Sequence, residues 1–161
     1  DKCAGGTYQN DTGATTCRDC EAGHYCSKGA AAPLPCGGGS YSDKTDLSDA
    51  SQCTAAMAGF FATTGSTEQT PCTKGSFAAT PGRSQCELCK PGTTSGDSSD
   101  SCSECAASTY AANPGQGECI PCPHPLSSAT GSTTCSFCMN DFYLRNTSAD
   151  PGDIFKSPTE Y

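Results

Sequence analysis

Cysteines recur along the chain at an almost constant interval. The chain has 15 cysteines in 161 residues, and nine of them open successive segments of 16, 17 or 19 residues. The nine are Cys3, Cys20, Cys36, Cys53, Cys72, Cys89, Cys105, Cys122 and Cys138. A fixed interval of this kind indicates a repeat architecture, in which each small unit packs against its neighbours. The sequence therefore predicts one structural unit of about 17 residues that recurs along the whole chain.

Most units open with the same short motif. A Gly stands three residues after the opening Cys in five units, and a Tyr or Phe stands five residues after it in six. The aromatic residues are Tyr8, Tyr25, Tyr41, Phe77, Tyr110 and Tyr143, while Phe60 and Phe61 come slightly late in the fourth unit. Gly permits the positive φ of a tight turn, and the aromatic residue then begins a short strand. We expect a chain of short hairpins with almost no helix.

Five units also close with a Cys three residues before the next opening. Opening and closing Cys then have 12 or 13 residues between them, a length that fits a hairpin returning to its own start. The predicted disulfides are Cys3–Cys17, Cys72–Cys86, Cys89–Cys102, Cys105–Cys119 and Cys122–Cys135. Cys20, Cys26, Cys36 and Cys53 have no partner by this rule, and four cysteines allow three pairings.

Cys138 is left over by these pairings. It would open a ninth unit whose closing Cys would lie just past Phe155, at or beyond the end of the sequence. A missing partner there is the explanation that the period favours. A bond to a neighbouring subunit and an unpaired thiol are the alternatives.

Zinc is the main competing explanation for the CxxC pairs. Two sets of four cysteines have spacings suitable for tetrathiolate sites. They are Cys86, Cys89, Cys102 and Cys105, and Cys119, Cys122, Cys135 and Cys138. The same register continues through units without a CxxC, and two zinc sites would leave seven cysteines unexplained. We therefore expect disulfides, with no metal or other cofactor.

The composition restricts the compartment and the partners. Val is absent and Leu, Ile and Phe are few, so this chain cannot bury a conventional core and depends on cross-links. High cysteine density indicates an extracellular or cell-surface protein. The sequons at Asn10 and Asn146 predict N-linked glycans, and the Ser/Thr-rich loops are compatible with O-linked ones. A net charge of -8 argues against nucleic acid, and no apolar run is long enough for membrane insertion.

Two stretches carry a family resemblance. The segments "CEAGHYCSKGAAAPLPCGGGSYS" and "CELCKPGTTS" resemble the ephrin-receptor-like cysteine-rich repeat, which occurs in tandem arrays in extracellular proteins. The resemblance extends from Cys3 to about Tyr143. The module is similar in architecture to tumour necrosis factor receptor repeats, in which a disulfide ladder joins hairpins into a rod. That similarity implies Cys20–Cys36 and Cys26–Cys53, with a departure from the pattern in the 19-residue unit that begins at Cys53.

Together these features predict a small, disulfide-rich, mainly β or irregular fold: an elongated ladder of short hairpin repeats. We divide it into residues 1–71, residues 72–138 with regular CxxC pairs, and a Cys-free tail, 139–161, that is a partial repeat or an inter-subunit extension. The predicted function is a structural glycoprotein segment of an extracellular fibre, appendage or coat. It would self-associate into a polymer or continue in a longer chain. The alternative is a ligand-binding or adhesion ectodomain. No catalytic residues are predicted, because His24 and His124 lie in loops without a paired nucleophile.

Overall fold

The structure, a computed structural model, describes residues 2–11, 13–138, 143–144 and 155–156. Its sheets are antiparallel pairs of two-residue strands that follow one another along the chain. The pairs are β1 (Thr7–Tyr8) with β2 (Arg18–Asp19), β3 (His24–Tyr25) with β4 (Leu34–Pro35), β5 (Ser40–Tyr41) with β6 (Thr54–Ala55), β7 (Phe60–Phe61) with β8 (Thr70–Pro71), β9 (Ser76–Phe77) with β10 (Glu87–Leu88), β11 (Thr93–Thr94) with β12 (Ser103–Glu104), β13 (Thr109–Tyr110) with β14 (Ile120–Pro121), β15 (Leu126–Ser127) with β16 (Phe137–Cys138), and β17 (Tyr143–Leu144) with β18 (Phe155–Lys156). A single 3-10 helix, Ala50–Gln52, is the only helix in the described part of the chain. The predicted ladder of short hairpins is confirmed.

A tight turn leads into the first strand of each of the first eight hairpins. In the fifth repeat, Gly75 has a φ of +80°, and the amide of Ser76 donates to the Thr73 carbonyl at 3.0 Å. The Ser76 hydroxyl donates to the same oxygen at 2.7 Å. Gly adopts this conformation without steric cost, and the second donor fixes the point at which the strand begins. We call the Gly at this place, three residues after the opening residue, the turn glycine.

The fourth repeat opens at Ala56 and not at Cys53. The amide of an opening residue donates to the turn-glycine carbonyl of the repeat before it: Cys36 donates to Gly23 at 2.8 Å, and Ala56 donates to Gly39 at 2.9 Å. Ala56 is also fully buried, like Cys36. Ala56 therefore occupies a cysteine position.

This register explains why Phe60 and Phe61 come late when they are counted from Cys53. Counted from Ala56, Gly59 stands three residues later and Phe61 five residues later, as Gly6 and Tyr8 do from Cys3. The long repeat is instead the third, which runs for 20 positions from Cys36. The expectation that the repeat lengthens between Cys53 and Cys72 is wrong, because the extra residues form the 3-10 helix Ala50–Gln52 before that segment.

The core is a narrow column of small side chains. It contains the opening residues and the residues six positions after them, which we call inner residues. The buried opening residues are Cys3, Cys20, Cys36, Ala56, Cys72, Cys89 and Cys105, and the buried inner residues are Cys26, Ser42, Ala62, Ala78, Ser95, Ala111 and Ser128. Side chains this small leave little apolar area to stabilise the fold. Hydrogen bonds between repeats and disulfides within them therefore contribute a larger share of the stability.

Candidate functional site: the seam and cross-links of the array

Successive repeats are joined by a repeated set of backbone hydrogen bonds, which we call the seam. Between repeats 4 and 5, the turn glycine Gly59 donates to the inner residue Ala78 at 2.9 Å. In the same seam Ala62 donates to Arg83 at 3.0 Å, and Gly82 donates back to Ala56 at 2.8 Å. The first and third of these bonds recur at all seven junctions from repeat 1 to repeat 8. Each repeat therefore presents the same donors and acceptors to the next one.

The turn glycines also touch the repeat two places further along. A Cβ added to Gly39 would overlap the carbonyl of Gly82, and one added to Gly59 would overlap that of Ser98. Contacts of this kind link repeats 3 with 5 and 4 with 6. An ion pair between Lys74 and Glu118, at 3.3 Å, adds a contact between repeats 5 and 7. The array is thus connected both to nearest neighbours and to second neighbours.

Three residues other than Gly adopt the backbone conformation that the seam requires. Asp46 and Ser98 have φ values of 63° and 55° and donate to the opening carbonyls of Cys20 and Cys72, both by their amides. Ser108, with φ of 65°, stands at a turn-glycine position. Sequence reasoning missed these residues, because only their place in the repeat identifies them.

Five disulfides in the structure are the pairs that the hairpin spacing predicts. They are Cys3–Cys17, Cys72–Cys86, Cys89–Cys102, Cys105–Cys119 and Cys122–Cys135, with Cα atoms 5.7 to 5.8 Å apart. This separation is normal for a disulfide. In the first four, a buried opening Cys joins a more exposed closing Cys at the end of the same repeat, whereas Cys122 and Cys135 are both half-buried.

The pairing inferred from tumour necrosis factor receptor repeats is wrong. The structure has Cys20–Cys26 and Cys36–Cys53 in place of Cys20–Cys36 and Cys26–Cys53. Cys26 is the inner residue of repeat 2, and its Cα lies 5.9 Å from that of Cys20. Cys53 is the closing Cys of repeat 3, because the next repeat opens at Ala56. Pro33 stands where repeat 2 would have a closing Cys, so Cys20 bonds to the inner Cys instead.

Cys138 is a free, half-buried thiol at a strand position. It pairs in register with Leu126, whereas in the preceding hairpin the equivalent Thr109 pairs with Pro121, the residue before an opening Cys. Cys138 therefore precedes an opening position and does not occupy one. This register removes the basis for expecting a closing partner just past Phe155.

The strand that follows agrees with this shift. Tyr143 is the first residue of β17, whereas Tyr110 and the other aromatic residues at this place are the second residue of their strands. Relative to Cys138, β17 therefore begins one residue later than the first strands of the other hairpins begin relative to their opening residues. The tail as an inter-subunit extension stays a prediction, because most of residues 139–161 lie outside the described part, as does Asn146.

The CxxC pairs do not provide thiolates for zinc. Four disulfides engage every cysteine of both candidate sets except Cys138, and zinc binds thiolates. Among the described residues, no group of three or more His, Cys, Asp or Glu side chains could hold a metal ion. His24 contacts the carbonyl of Ala22 at 3.1 Å, inside its own turn.

The remaining predicted site residue in the described part, Asn10, is exposed. It lies two residues after β1 in the loop of the first hairpin, where a glycan could extend into solvent. Its glycosylation stays a prediction. Asp11 of the same loop forms an ion pair with Arg18 of β2, at 3.1 Å.

One carboxyl group has a perturbed pKa. The Asp49 side chain accepts hydrogen bonds from Ser51, which hold its pKa below the usual value. The backbone bond from the Ser51 amide is 2.9 Å long and caps the 3-10 helix. Gln52 completes the cap by accepting from the amides of Ser48 and Asp49 at 2.7 and 3.1 Å. This is a local structural role at an exposed site.

A shallow groove of about 330 Å³ lies between repeats 4 and 5. Phe61, Pro71 and Leu88 contribute its apolar lining. Leu88 is 63% exposed, and Leu34, Met57, Ile120 and Phe137 are exposed as well.

Comparison with known families agrees with this geometry. Residues 92–130 match the family model described as tyrosine-protein kinase ephrin type A/B receptor-like. This segment is ephrin-receptor-like. It runs from the turn glycine of repeat 6 through repeat 7 and into repeat 8, so the ephrin-receptor-like match covers the same hairpin unit that recurs along the array.

A search of curated proteins found no match. The ephrin-receptor-like segment and the seven disulfides indicate an extracellular or secreted protein. Within the described residues, no helix has the length and apolar character needed to cross a membrane.

Proposed function

We propose that the chain is a structural segment of an extracellular fibre, appendage or coat. The observation that carries this proposal is the uniform seam. Because two of its hydrogen bonds recur at all seven junctions, the same contact can extend the array by any number of repeats. A unit that stacks by its backbone needs no special side chain at each step. The role is non-enzymatic and needs no cofactor.

The first repeat has the groups with which a further repeat could form a seam. Gly13 has a φ of +88°, like Gly29 and Gly65, which use the same conformation to donate to the repeat before them. A Cβ added to Gly13 would meet no atom within 4 Å, whereas one added to Gly29, Gly65 or Gly115 at the same place would meet Lys2, Pro35 or Leu88 from earlier in the chain. This edge supports extension of the array by a second copy or by further repeats of a longer chain.

Sedimentation of the oxidised chain over a range of concentrations tests the proposal. We expect reversible association into longer species, and expect Gly13→Lys to weaken it at least tenfold, because its side chain would occupy the free edge. Gly82→Lys is the matched control, since Gly82 has a similar φ of +79° and open space but lies in the middle of the array. A monomer at all concentrations, or equal effects of the two variants, would contradict assembly through this edge.

The groove at Leu88 favours a second candidate, a ligand-binding or adhesion ectodomain. Exposed apolar side chains in a groove are typical of binding surfaces. Saturable binding of a ligand that is lost in Leu88→Ser, without a change in sedimentation, would support this function over the structural one. Neither function requires Asn10 to carry a glycan, but a glycan there would keep that side of the first repeat soluble.

A further inference from the structure

Repeat 4, residues 56–71, is the one repeat from 1 to 8 without a disulfide. Its opening position holds Ala56 and its closing position holds Gln69, where the cross-linked repeats on either side have cysteines. Ala56 is nevertheless fully buried, and its seam bonds to Gly39 and Gly82 are present. The repeat therefore keeps the common fold without the covalent bond.

A hydrogen bond stands in place of the missing disulfide. The side-chain oxygen of Gln69 accepts from the amide of Met57 at 2.8 Å, and so joins the closing position to the residue after the opening one. A hydrogen bond at a partly exposed site stabilises far less than a disulfide, because it does not restrict the unfolded chain. Repeat 4 is held closed more weakly than its neighbours.

The positions of the disulfides distinguish this repeat from the others. One disulfide ends at Cys53 and the next begins at Cys72, and none of the seven spans the residues between them. In the region that follows, only two residues separate one disulfide loop from the next, as between Cys86 and Cys89. The next longest unlinked stretch between disulfides is 27–35 in repeat 2.

We propose that repeat 4 is the repeat of the array that opens most easily. It opens while the cross-linked repeats on both sides stay closed, and its opening adds roughly 60 Å of extended chain. Opening also exposes Phe60 and Phe61, which are half-buried in β7. A protease cut there divides the molecule into two parts that no disulfide joins. This behaviour follows from the cross-links alone and does not depend on the proposed fibre function.

Limited digestion of the oxidised full chain with chymotrypsin, followed by mass mapping after reduction, tests the proposal. We expect the bonds after Phe60 and Phe61 to be cut faster than those after Tyr41 or Phe77 in the flanking repeats. A variant with both Ala56→Cys and Gln69→Cys restores the cross-link of the other repeats. Its cleavage at Phe60 and Phe61 should slow by roughly tenfold or more, as expected for closing a loop of this length.

Two matched variants separate the effect of the bond from that of the substitutions. Ala56→Ser with Gln69→Ser changes the same positions without a cross-link, and should be cut at least as fast as the unmodified chain. Cys72→Ala with Cys86→Gln places the residues of repeat 4 in repeat 5, and should make the bond after Phe77 a fast site.

Either of two cleavage results would overturn the proposal. Equal cleavage of the unmodified chain and of the double-cysteine variant, with the new bond verified by mass, would overturn the proposal. If that bond does not form, the variant of repeat 5 decides, and an unchanged rate after Phe77 would overturn it. In an optical trap, the unmodified chain should lengthen by one step of roughly 60 Å, and that step should be absent in the double-cysteine variant.

Discussion

The turn glycines are the residues at which the array tolerates least change. At these positions two requirements coincide: a positive φ, which costs an L side chain about 1–2 kcal/mol, and contact with a carbonyl two repeats away. At Gly39 that carbonyl belongs to Gly82. A side chain here would strain its own repeat and also separate repeats 3 and 5.

We therefore expect Gly39→Ala to be strongly destabilising. The backbone strain alone would lower the free energy of unfolding by about 1–2 kcal/mol, and displacement of the Gly82 carbonyl would add to it. Gly37→Ala is the control, because Gly37 has no positive φ and open space around its Cβ position; its effect should stay within about 0.5 kcal/mol. Urea denaturation with the disulfides intact measures both, and similar midpoints for the two variants would contradict the role given to Gly39.

Part of this residue-scale pattern could be predicted from the sequence. The Gly three residues after the opening Cys of five units indicates a turn, because Gly favours positive φ. The contact of that Gly with the second repeat along could not be predicted, since it depends on how the units stack. Asp46 and Ser98 adopt positive φ although neither is a Gly, the residue type that indicates this conformation. Seam hydrogen bonds, at 2.9 and 2.8 Å, hold them in that conformation.

At the scale of the single repeat, the same hairpin is closed in three ways. Most repeats have a disulfide between opening and closing positions, repeat 2 has one between Cys20 and the inner Cys26, and repeat 4 has the Gln69 hydrogen bond. The strands and seam change little among them. The backbone pattern therefore defines the unit, and the cross-link sets how firmly it is closed.

Tryptic mapping without reduction tests the unusual bond of repeat 2. Cleavage after Arg18 and Lys28 releases one peptide, residues 19–28, that contains both Cys20 and Cys26. With the bond between them, this peptide should appear alone and about two mass units below its reduced form. The rejected pairing would instead leave it joined to the peptides that contain Cys36 and Cys53.

The 3-10 helix of repeat 3 should respond to acid through its cap. Because hydrogen bonds from Ser51 lower the pKa of Asp49 in the folded chain, the cap is favoured when the pH is above the usual Asp value of about 3.9. Its contribution is lost as the pH falls through the lowered pKa. An NMR titration should give an Asp49 pKa below 3.9, and Asp49→Asn should remove the acid-dependent shift of the Ser51 amide signal. A normal Asp49 pKa would contradict this cap.

The element scale also explains which disulfides the sequence could predict. Hairpin length was sufficient wherever both cysteines of a repeat were present. It failed between Cys20 and Cys53, because Cys53 was counted as an opening residue although Ala56 has that place. The signal was in the sequence, since the Gly-aromatic step after Ala56 has the normal spacing. A pattern based on cysteines alone could not use it.

At the scale of the whole molecule, stability is spread along the array. The buried column consists of Cys, Ala and Ser with Leu47 beside it, so within the described residues no large apolar cluster stabilises one region more than the others. Each seam instead links a repeat to its neighbours, and each disulfide limits how far that repeat can open. Loss of the cross-links should therefore affect the array at all of its junctions.

Reduction provides the corresponding prediction. Hydrogen exchange of the oxidised chain should show protection of seam amides such as Gly59, Gly75 and Gly92, which donate at 2.8 to 3.0 Å. After reduction and alkylation, we expect this protection to fall at least tenfold at Gly75 and Gly92, because the unfolded state of their repeats is no longer restricted. Gly59 should start with the lowest protection, since its repeat has no disulfide, and should change least. Equal protection before and after reduction at all three amides would mean that the backbone seam alone stabilises the array.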